Sequence, residues 1–306
     1  MGLPIRPNPV DPSARPGHRL LAAGMALSLL AVPEATVPIP GGSAPCRQTA
    51  GWARQTPSLP PGLGEVSGLV TSQQYPGWSW MIRDSGNPAS LYALRFQDDG
   101  TPLVREIRVA GATNVDWEDL VYRWGDPQSR LFVIESGQSG GNRFIYELPE
   151  PDPEGPSEVS FFTRYEYAYP NQANYNTESA FWFAGRLVLV TKTAPGRVYR
   201  FEDPLSTTGV NQPAYVGDLA GADRVSVARV SWDWRTIVAA DHERLVVYRA
   251  PGVTRDLAAL IARWSVRCEH FAPGDNVEAG DFRPVGQLGL TLIAESRSVY
   301  QTPAEL

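Results

Sequence analysis

Five short segments of the chain each open with an acidic or hydroxyl side chain that could ligate a metal ion. In sequence order these side chains are Ser67, Glu118, Glu178, Ser226 and Glu278. The distances along the chain between successive members are 51, 60, 48 and 52 residues. Carboxylate and hydroxyl oxygens are hard ligands of the kind that calcium prefers. Carboxylates brought close together repel one another and raise one another's pKa unless a cation neutralises them. The pattern therefore predicts a calcium site, although manganese and magnesium also accept oxygen ligands.

Each of these segments begins a longer pattern that is repeated through the chain. An apolar strand follows the ligand-type residue, a second strand ends in a polar residue, and a third strand contains a tyrosine. Single strand-like segments separate the copies, at residues 103–109, 161–167, 212–219 and 261–268. A unit of four strands at this period is a propeller blade. We therefore expect an all-β fold, a five-bladed β-propeller with four antiparallel strands per blade, and a sixth, divergent blade stays open.

In a propeller the first strand of each blade lines the central channel, so the five ligand-type residues should form a ring around one axis. The second strands should end at the same mouth of the channel and place an outer ring there, formed by Asp84, Glu135, Lys192, Asp241 and Glu295. Lys192 is the single lysine of the chain. It could contact a phosphate or a carboxylate, or it could be a survivor of a composition biased to arginine. The alternative for the five ligand-type residues is a polar channel lining that only holds water.

The openings Glu65-Val-Ser67, Trp117-Glu118, Thr177-Glu178-Ser-Ala, Val225-Ser226 and Val277-Glu278-Ala-Gly resemble the inner-strand motifs of the calcium-activated nucleotidase (apyrase) family. The resemblance implies a five-bladed propeller that holds calcium on its axis through Ser67, Glu118, Glu178, Ser226 and Glu278, and that hydrolyses nucleoside di- and triphosphates. The segments Asp84-Ser-Gly, Asp116-Trp-Glu118-Asp and Glu150-Pro151 also resemble bacterial exported propellers described as phytase-like.

The nucleotidase resemblance implies that Asp84 positions or deprotonates the attacking water, and we predict Asp84, Glu135 and Lys192 as catalytic residues. A mouth with several carboxylates and one lysine is a poor pocket for a polyphosphate unless further cations bridge it. We therefore keep as an alternative a non-catalytic propeller with a structural axial ion, whose mouth binds a small molecule, a glycan, a peptide or a component of the cell envelope. A propeller lyase or glycosidase, with a carboxylate pair beside a sugar site, also stays open.

The N-terminal segment has the layout of a secretory signal. Three arginines precede an apolar block at residues 20–32, and small and proline-rich residues follow as far as residue 44. We expect residues 1–45 to be a signal peptide and linker and residues 46–306 to be an exported, monomeric propeller, with an uncleaved membrane anchor as the alternative. A segment from Cys46 to about Trp52 should supply the last strand of the fifth blade. Cys46 and Cys268 could then form a disulfide across the closure, with free thiols as the alternative.

Composition argues against several other functions. The formal net charge is −6 and the pI is near 5.2, so no basic surface is expected to neutralise a nucleic-acid backbone. Only three histidines are present, and the spacings of zinc sites are absent from the sequence. Five tryptophans are expected as core between blades, with sugar stacking open for one or two of them: Trp78, Trp80, Trp182, Trp232 and Trp234.

Overall fold

The fold is known from a computed structural model that describes residues 52–125, 127–136, 142–242, 244–250, 252–262, 268–271, 275–284 and 289–302. The strands are β1 (Ala53–Arg54), β2 (Val66–Thr71), β3 (Ser79–Arg83), β4 (Ser90–Phe96), β5 (Pro102–Val109), β6 (Trp117–Arg123), β7 (Arg130–Glu135), β8 (Arg143–Pro149), β9 (Glu158–Val159), β10 (Thr163–Tyr167), β11 (Thr177–Phe183), β12 (Arg186–Thr191), β13 (Gly196–Arg200), β14 (Ala214–Leu219), β15 (Val227–Val230), β16 (Thr236–Ala240), β17 (Arg244–Arg249), β18 (Cys268–Phe271), β19 (Val277–Phe282), β20 (Leu290–Ala294) and β21 (Val299–Gln301). One short α-helix, α1 (Leu257–Ala262), and a 3-10 turn at Pro170–Gln172 complete the described elements.

These strands form five antiparallel four-stranded sheets, which confirms the predicted five-bladed β-propeller. Blade 1 is β2-β3-β4-β5, blade 2 is β6-β7-β8-β10, blade 3 is β11-β12-β13-β14, blade 4 is β15-β16-β17-β18 and blade 5 is β19-β20-β21-β1. The first strand of each blade contacts the first strand of the next, from β2 through β6, β11, β15 and β19 back to β2. Blade 1 carries β9 as an additional parallel strand beside β5. The ring is closed by five blades, so the sixth blade left open by the sequence is not needed.

Burial is greatest at the inner strands and falls towards the outer strands. All six residues of β2 are buried, whereas the outermost strand of blade 3, β14, has only one buried residue. Apolar clusters fill the space between neighbouring blades, with Trp80 of blade 1 packed near Trp117 of blade 2. The inner strands approach so closely that a Cβ atom on Gly68 would lie 2.6 Å from the backbone nitrogen of Leu120. Glycine is therefore required at this crossing.

The propeller is closed by an N-terminal strand, as predicted. Strand β1 pairs with β21, with Ala53 opposite Gln301 and Arg54 opposite Tyr300. The described closing strand, Ala53–Arg54, directly follows the segment from Cys46 to about Trp52 that the sequence suggested. Cys46 and the signal-like segment lie outside the described residues, so the disulfide and the signal peptide stay predictions. Cys268 begins β18, the outer strand of blade 4, where the sequence placed it.

The predicted outer strand at residues 261–268 is wrong in its position. Helix α1 occupies the beginning of this segment, and the described strand here is Cys268–Phe271. The helix forms because Leu257, Leu260 and Ile261 share one helical face and are all buried, and the side chain of Asp256 accepts a hydrogen bond from the backbone N–H of Ala259. Within the described part of the chain, no helix has the length and apolar character needed to cross a bilayer.

Candidate functional site

The predicted inner-ring residues occupy equivalent positions at the amino ends of the inner strands. Ser67, Glu118, Glu178 and Glu278 each lie at a register shift between the first and second strands of their blades. A β-bulge at such a position leaves one residue out of the ladder and re-aims its side chain. Ser226 lies one residue before β15, and its N–H donates to the carbonyl of Ala240. The repeated sequence pattern therefore corresponds to a repeated structural device at one end of the channel, which we call the acidic mouth.

Three carboxylates come together at the acidic mouth. One ligand-type oxygen from each of Asp84, Asp116 and Glu118 lies within 4.8 Å of the other two. Glu118 is only 8% exposed. Burial raises the pKa of Glu118 to about 10, and the charges of Glu178, Asp84 and Asp116 add to the effect. Burial also raises the pKa of Asp84. These carboxylates share a region where an additional positive charge would be stabilising.

Lys192 supplies part of that positive charge. Its Nζ lies 2.9 Å from Oε2 of Glu178, and the other oxygen of Glu178 accepts a hydrogen bond from Asn176. Burial lowers the pKa of Lys192, but the charges of Glu178, Glu278 and Glu118 outweigh burial and raise the pKa overall. The lysine therefore contacts a carboxylate, which is one of the alternatives that the sequence left open.

Glu278 completes the ring on the side of blade 5. Burial raises the pKa of Glu278 to about 7, with Lys192 opposing and Glu178 adding to the shift. Oε1 of Glu278 lies 3.8 Å from Nε2 of His242. Nδ1 of His242 is buried and has no hydrogen-bond partner among the described residues. The sequence analysis did not single out His242, which adjoins Asp241, and it named Asp116 only within a phytase-like segment and not as a site residue.

The two ring serines connect neighbouring blades. The hydroxyl of Ser67 donates to the carbonyl of Trp117 at 2.7 Å, and the hydroxyl of Ser226 donates to the carbonyl of Val277 at 2.7 Å. Each acceptor residue directly precedes a ring glutamate. A hydroxyl that donates one hydrogen bond keeps lone pairs free. The serine oxygens can therefore hold the ring in register and still ligate a cation.

The outer ring is less uniform than the inner ring. Asp84 and Lys192 belong to the acidic mouth, and the charge of Glu295 acts on Glu278. Glu135 is 1% exposed, and its Oε2 accepts the N–H of Val115 at 2.9 Å. Asp241 is 8% exposed, and its side chain accepts the N–H of Arg244. A catalytic role for Glu135 stays a prediction, and the contact shown for it is with the backbone.

The donor set of the acidic mouth fits a divalent cation. Asp84, Asp116, Glu118, Glu178 and Glu278 offer carboxylate oxygens, and Lys192 is the one basic side chain that interacts with several of them among the described residues. All candidate donors are oxygens, which suits calcium, magnesium or manganese better than zinc or copper. Burial and the neighbouring carboxylates raise the pKa of Glu118, and a cation at the mouth would oppose this shift.

A buried ion pair joins the inner strands beyond the acidic mouth. Nη1 and Nη2 of Arg229 lie 2.7 and 2.5 Å from the two oxygens of Asp119, and both side chains are buried. The guanidinium also donates to the carbonyls of Leu69, Ala180 and Ala228. These contacts join the inner strands of blades 1, 2, 3 and 4, and we call them the arginine plug.

Glu150, in one of the phytase-like segments, has a structural environment. It is 1% exposed, and its carboxylate accepts hydrogen bonds from Ser72, the indole of Trp80 and the hydroxyl of Tyr122. Burial raises the pKa of Glu150, and these donors oppose the shift. The residue holds blades 1 and 2 together and fixes Tyr122.

The fold and the site define this chain as a five-bladed β-propeller with an acidic channel mouth. No protein-family model and no curated protein matches it. A candidate oxidoreductase of the glucose dehydrogenase type from Thermus thermophilus is 10% identical with a TM-score of 0.45, over 78% of this chain and 97% of that one. A candidate gluconolactonase is 13% identical with a TM-score of 0.40, over 83% and 92% of the two chains. Likeness at this level carries no argument about activity, and the nucleotidase and phytase-like resemblances stay predictions.

Proposed function

We propose that the protein is an exported propeller that binds calcium at its acidic mouth and hydrolyses phosphoric esters or anhydrides there. The observation that carries the proposal is the group formed by Asp84, Asp116 and Glu118, whose oxygens lie within 4.8 Å of one another around a buried glutamate. A bound cation would replace the protons that this group otherwise holds. It would also neutralise negative charge on a phosphoryl oxygen.

The residues of the chain would divide the remaining work. Asp84 would accept the proton of the attacking water. Its position beside Asp116 and Glu118 suits the orientation of an attacking water. Lys192 would hold Glu178 in place through their 2.9 Å contact, and the ring serines would keep the glutamates in register.

The test is hydrolysis of p-nitrophenyl phosphate, ATP and phytate by the purified protein, with saturating calcium and after chelation. We expect turnover of at least one substrate with calcium and none after chelation. Asp84→Asn should abolish turnover at saturating calcium while the folded protein remains, as monitored by circular dichroism. Glu158→Gln, at an exposed position on blade 1, is the matched control and should keep full activity.

A second candidate function is a non-catalytic propeller whose axial ion is structural. It is favoured by the engagement of the basic side chains near the mouth. Lys192 pairs with Glu178, Arg83 donates to the carbonyl of Gly64, and Arg197 donates to Tyr175. These cations would have to change partners to bind a phosphate. Calcium-dependent stability without turnover of any of the three phosphorylated substrates would support this second function.

A further inference from the structure

A cavity of about 640 Å³ lies at the carboxyl ends of the inner strands, at the end of the channel opposite the acidic mouth. Its volume is in the range of small-molecule sites. Its wall is aromatic, and its floor includes two charged residues of the channel. The aromatic residues are Tyr122, Trp124, Phe181, Trp182, Trp232 and Trp234. We call it the tryptophan cavity.

The tryptophans of the cavity differ in how far other groups already cover them. The ring of Trp182 stacks on Phe132 and has the guanidinium of Arg123 4.8 Å from its centroid. Trp234 is contacted in a similar way by Phe183 and Arg255. By contrast, Trp124 is 61% exposed. An indole that remains this exposed gains most from a ligand that covers it.

Trp232 is held in a fixed orientation. Its indole N–H donates to the carbonyl of Arg283 at 2.9 Å, and Tyr122 meets it edge to face at 6.4 Å. Tyr122 is in turn fixed by Glu150 and Ser129. The wall of the cavity is therefore preorganised, which reduces the entropic cost of binding a ligand.

The two charged residues at the floor of the cavity, Arg229 and Asp281, offer no unpaired positive charge. Arg229 is already paired with Asp119. Asp281 is buried and accepts the N–H groups of Thr71 and Phe282. An anionic ligand such as a phosphate ester would meet the carboxylate of Asp281 and an arginine that is already paired, so its binding is disfavoured.

The amide side chain of Gln73 also lines the cavity. An amide offers both N–H donors and a carbonyl acceptor, so a ligand that carries hydroxyl groups would be favoured. A quaternary ammonium group or a plain hydrocarbon brings none.

We propose that the tryptophan cavity is a second binding site, separated from the acidic mouth by the arginine plug, and that it takes an uncharged sugar ring. A pyranose offers a flat C–H face that can pack on the indole rings of Trp124 and Trp232. Its hydroxyl groups suit the amide of Gln73. Its neutrality suits a cavity whose carboxylate, Asp281, faces no unpaired cation.

The test is binding of cellobiose, maltose and N,N′-diacetylchitobiose to the full chain, measured by saturation-transfer NMR and by tryptophan fluorescence titration. We expect at least one of these neutral sugars to bind. Trp124→Ala should weaken that binding roughly tenfold, the loss of one stacking contact. Trp124→Phe should keep part of it. Phe161→Ala removes an aromatic side chain that is 81% exposed elsewhere on the surface, and it should leave binding unchanged.

Three outcomes would overturn the proposal. The first is that none of the three sugars binds. The second is that binding is equally strong in Trp124→Ala and in the wild type. The third is that glucose 6-phosphate and glucuronic acid bind more tightly than the neutral sugars. Sugar binding that persists without calcium supports the proposal. It also shows that the sugar site and the proposed phosphohydrolase site can be tested independently, since the two sites lie at opposite ends of the channel.

Discussion

Replacement of Arg229 by leucine should be among the most destabilising single substitutions in the propeller. The guanidinium forms two hydrogen bonds of 2.7 and 2.5 Å with Asp119 and donates to three backbone carbonyls of the inner strands. Removing one partner of a buried ion pair typically costs about 3–5 kcal/mol. Leaving buried carbonyls without donors adds further cost. We therefore expect a loss of about 5 kcal/mol, which is a large part of the stability of an ordinary domain.

The loss should also depend on pH, because Arg229 offsets part of the cost of burying Asp281. Burial raises the pKa of Asp281 to about 6, with Arg229 opposing the shift. A carboxyl group whose pKa is raised by folding favours the folded state most at low pH and loses that contribution as pH rises through its folded pKa. Without the guanidinium, the pKa of Asp281 should rise further. The loss in free energy of unfolding caused by Arg229→Leu should then be larger at pH 8 than at pH 5.

The assay is equilibrium unfolding in urea at pH 5 and pH 8, followed by far-ultraviolet circular dichroism. Arg229→Lys keeps the charge but loses the paired geometry, so it should fall between the leucine variant and the wild type. The control is Arg108→Leu, since Arg108 and Glu158 form a pair whose side chains are 70% and 55% exposed. That substitution should cost under about 1 kcal/mol. A loss below about 1 kcal/mol in Arg229→Leu, or one that does not change with pH, would refute the reasoning.

Three further predictions concern the acidic mouth. Calcium binding should release protons, and the affinity for calcium should increase as pH rises from 6 to 8. The reason is that burial raises the pKa of Glu278 to about 7 and that of Glu118 to about 10. Calorimetry in two buffers of different ionisation enthalpy measures the proton release. Lys192→Met should tighten calcium binding several-fold by removing a competing positive charge, whereas Lys192→Arg should not; weaker binding in the methionine variant would contradict this. Ser67→Ala should lower the free energy of unfolding by about 1 kcal/mol through loss of its hydrogen bond to Trp117, as urea unfolding would show, and no change would contradict the role of this bond.

Much of the fold could be predicted because the chain repeats its pattern. Each blade restates the same order of strands, and the bulged residue at the start of the inner strand recurs in register, as at Glu118, Glu178 and Glu278. Helix α1 escaped prediction although the capping Asp256 and the helical spacing of Leu257, Leu260 and Ile261 carry the signal. The expectation of a fourth strand in every repeat outweighed that local pattern.

Some contacts between residues of different blades could not be predicted, because they do not recur from one repeat to the next. The arginine plug joins Asp119 of blade 2 with Arg229 of blade 4, and Asp281 of blade 5 lies close by, so only the closed ring brings them together. Asp116 was not assigned to the site for a different reason. It lies in the turn before its strand, and its distance from Asp84 depends on how two blades pack.

The central claim is that the acidic mouth is a cation site, and the most direct test is the melting temperature with calcium and with a chelator. The wild-type protein should melt at a clearly higher temperature with calcium, since a ligand that binds only the folded state stabilises it. Glu118→Gln should lose that rise, and Glu158→Gln should keep it. Equal melting temperatures of the wild-type protein under the two conditions, or an undiminished rise in Glu118→Gln, would contradict the account.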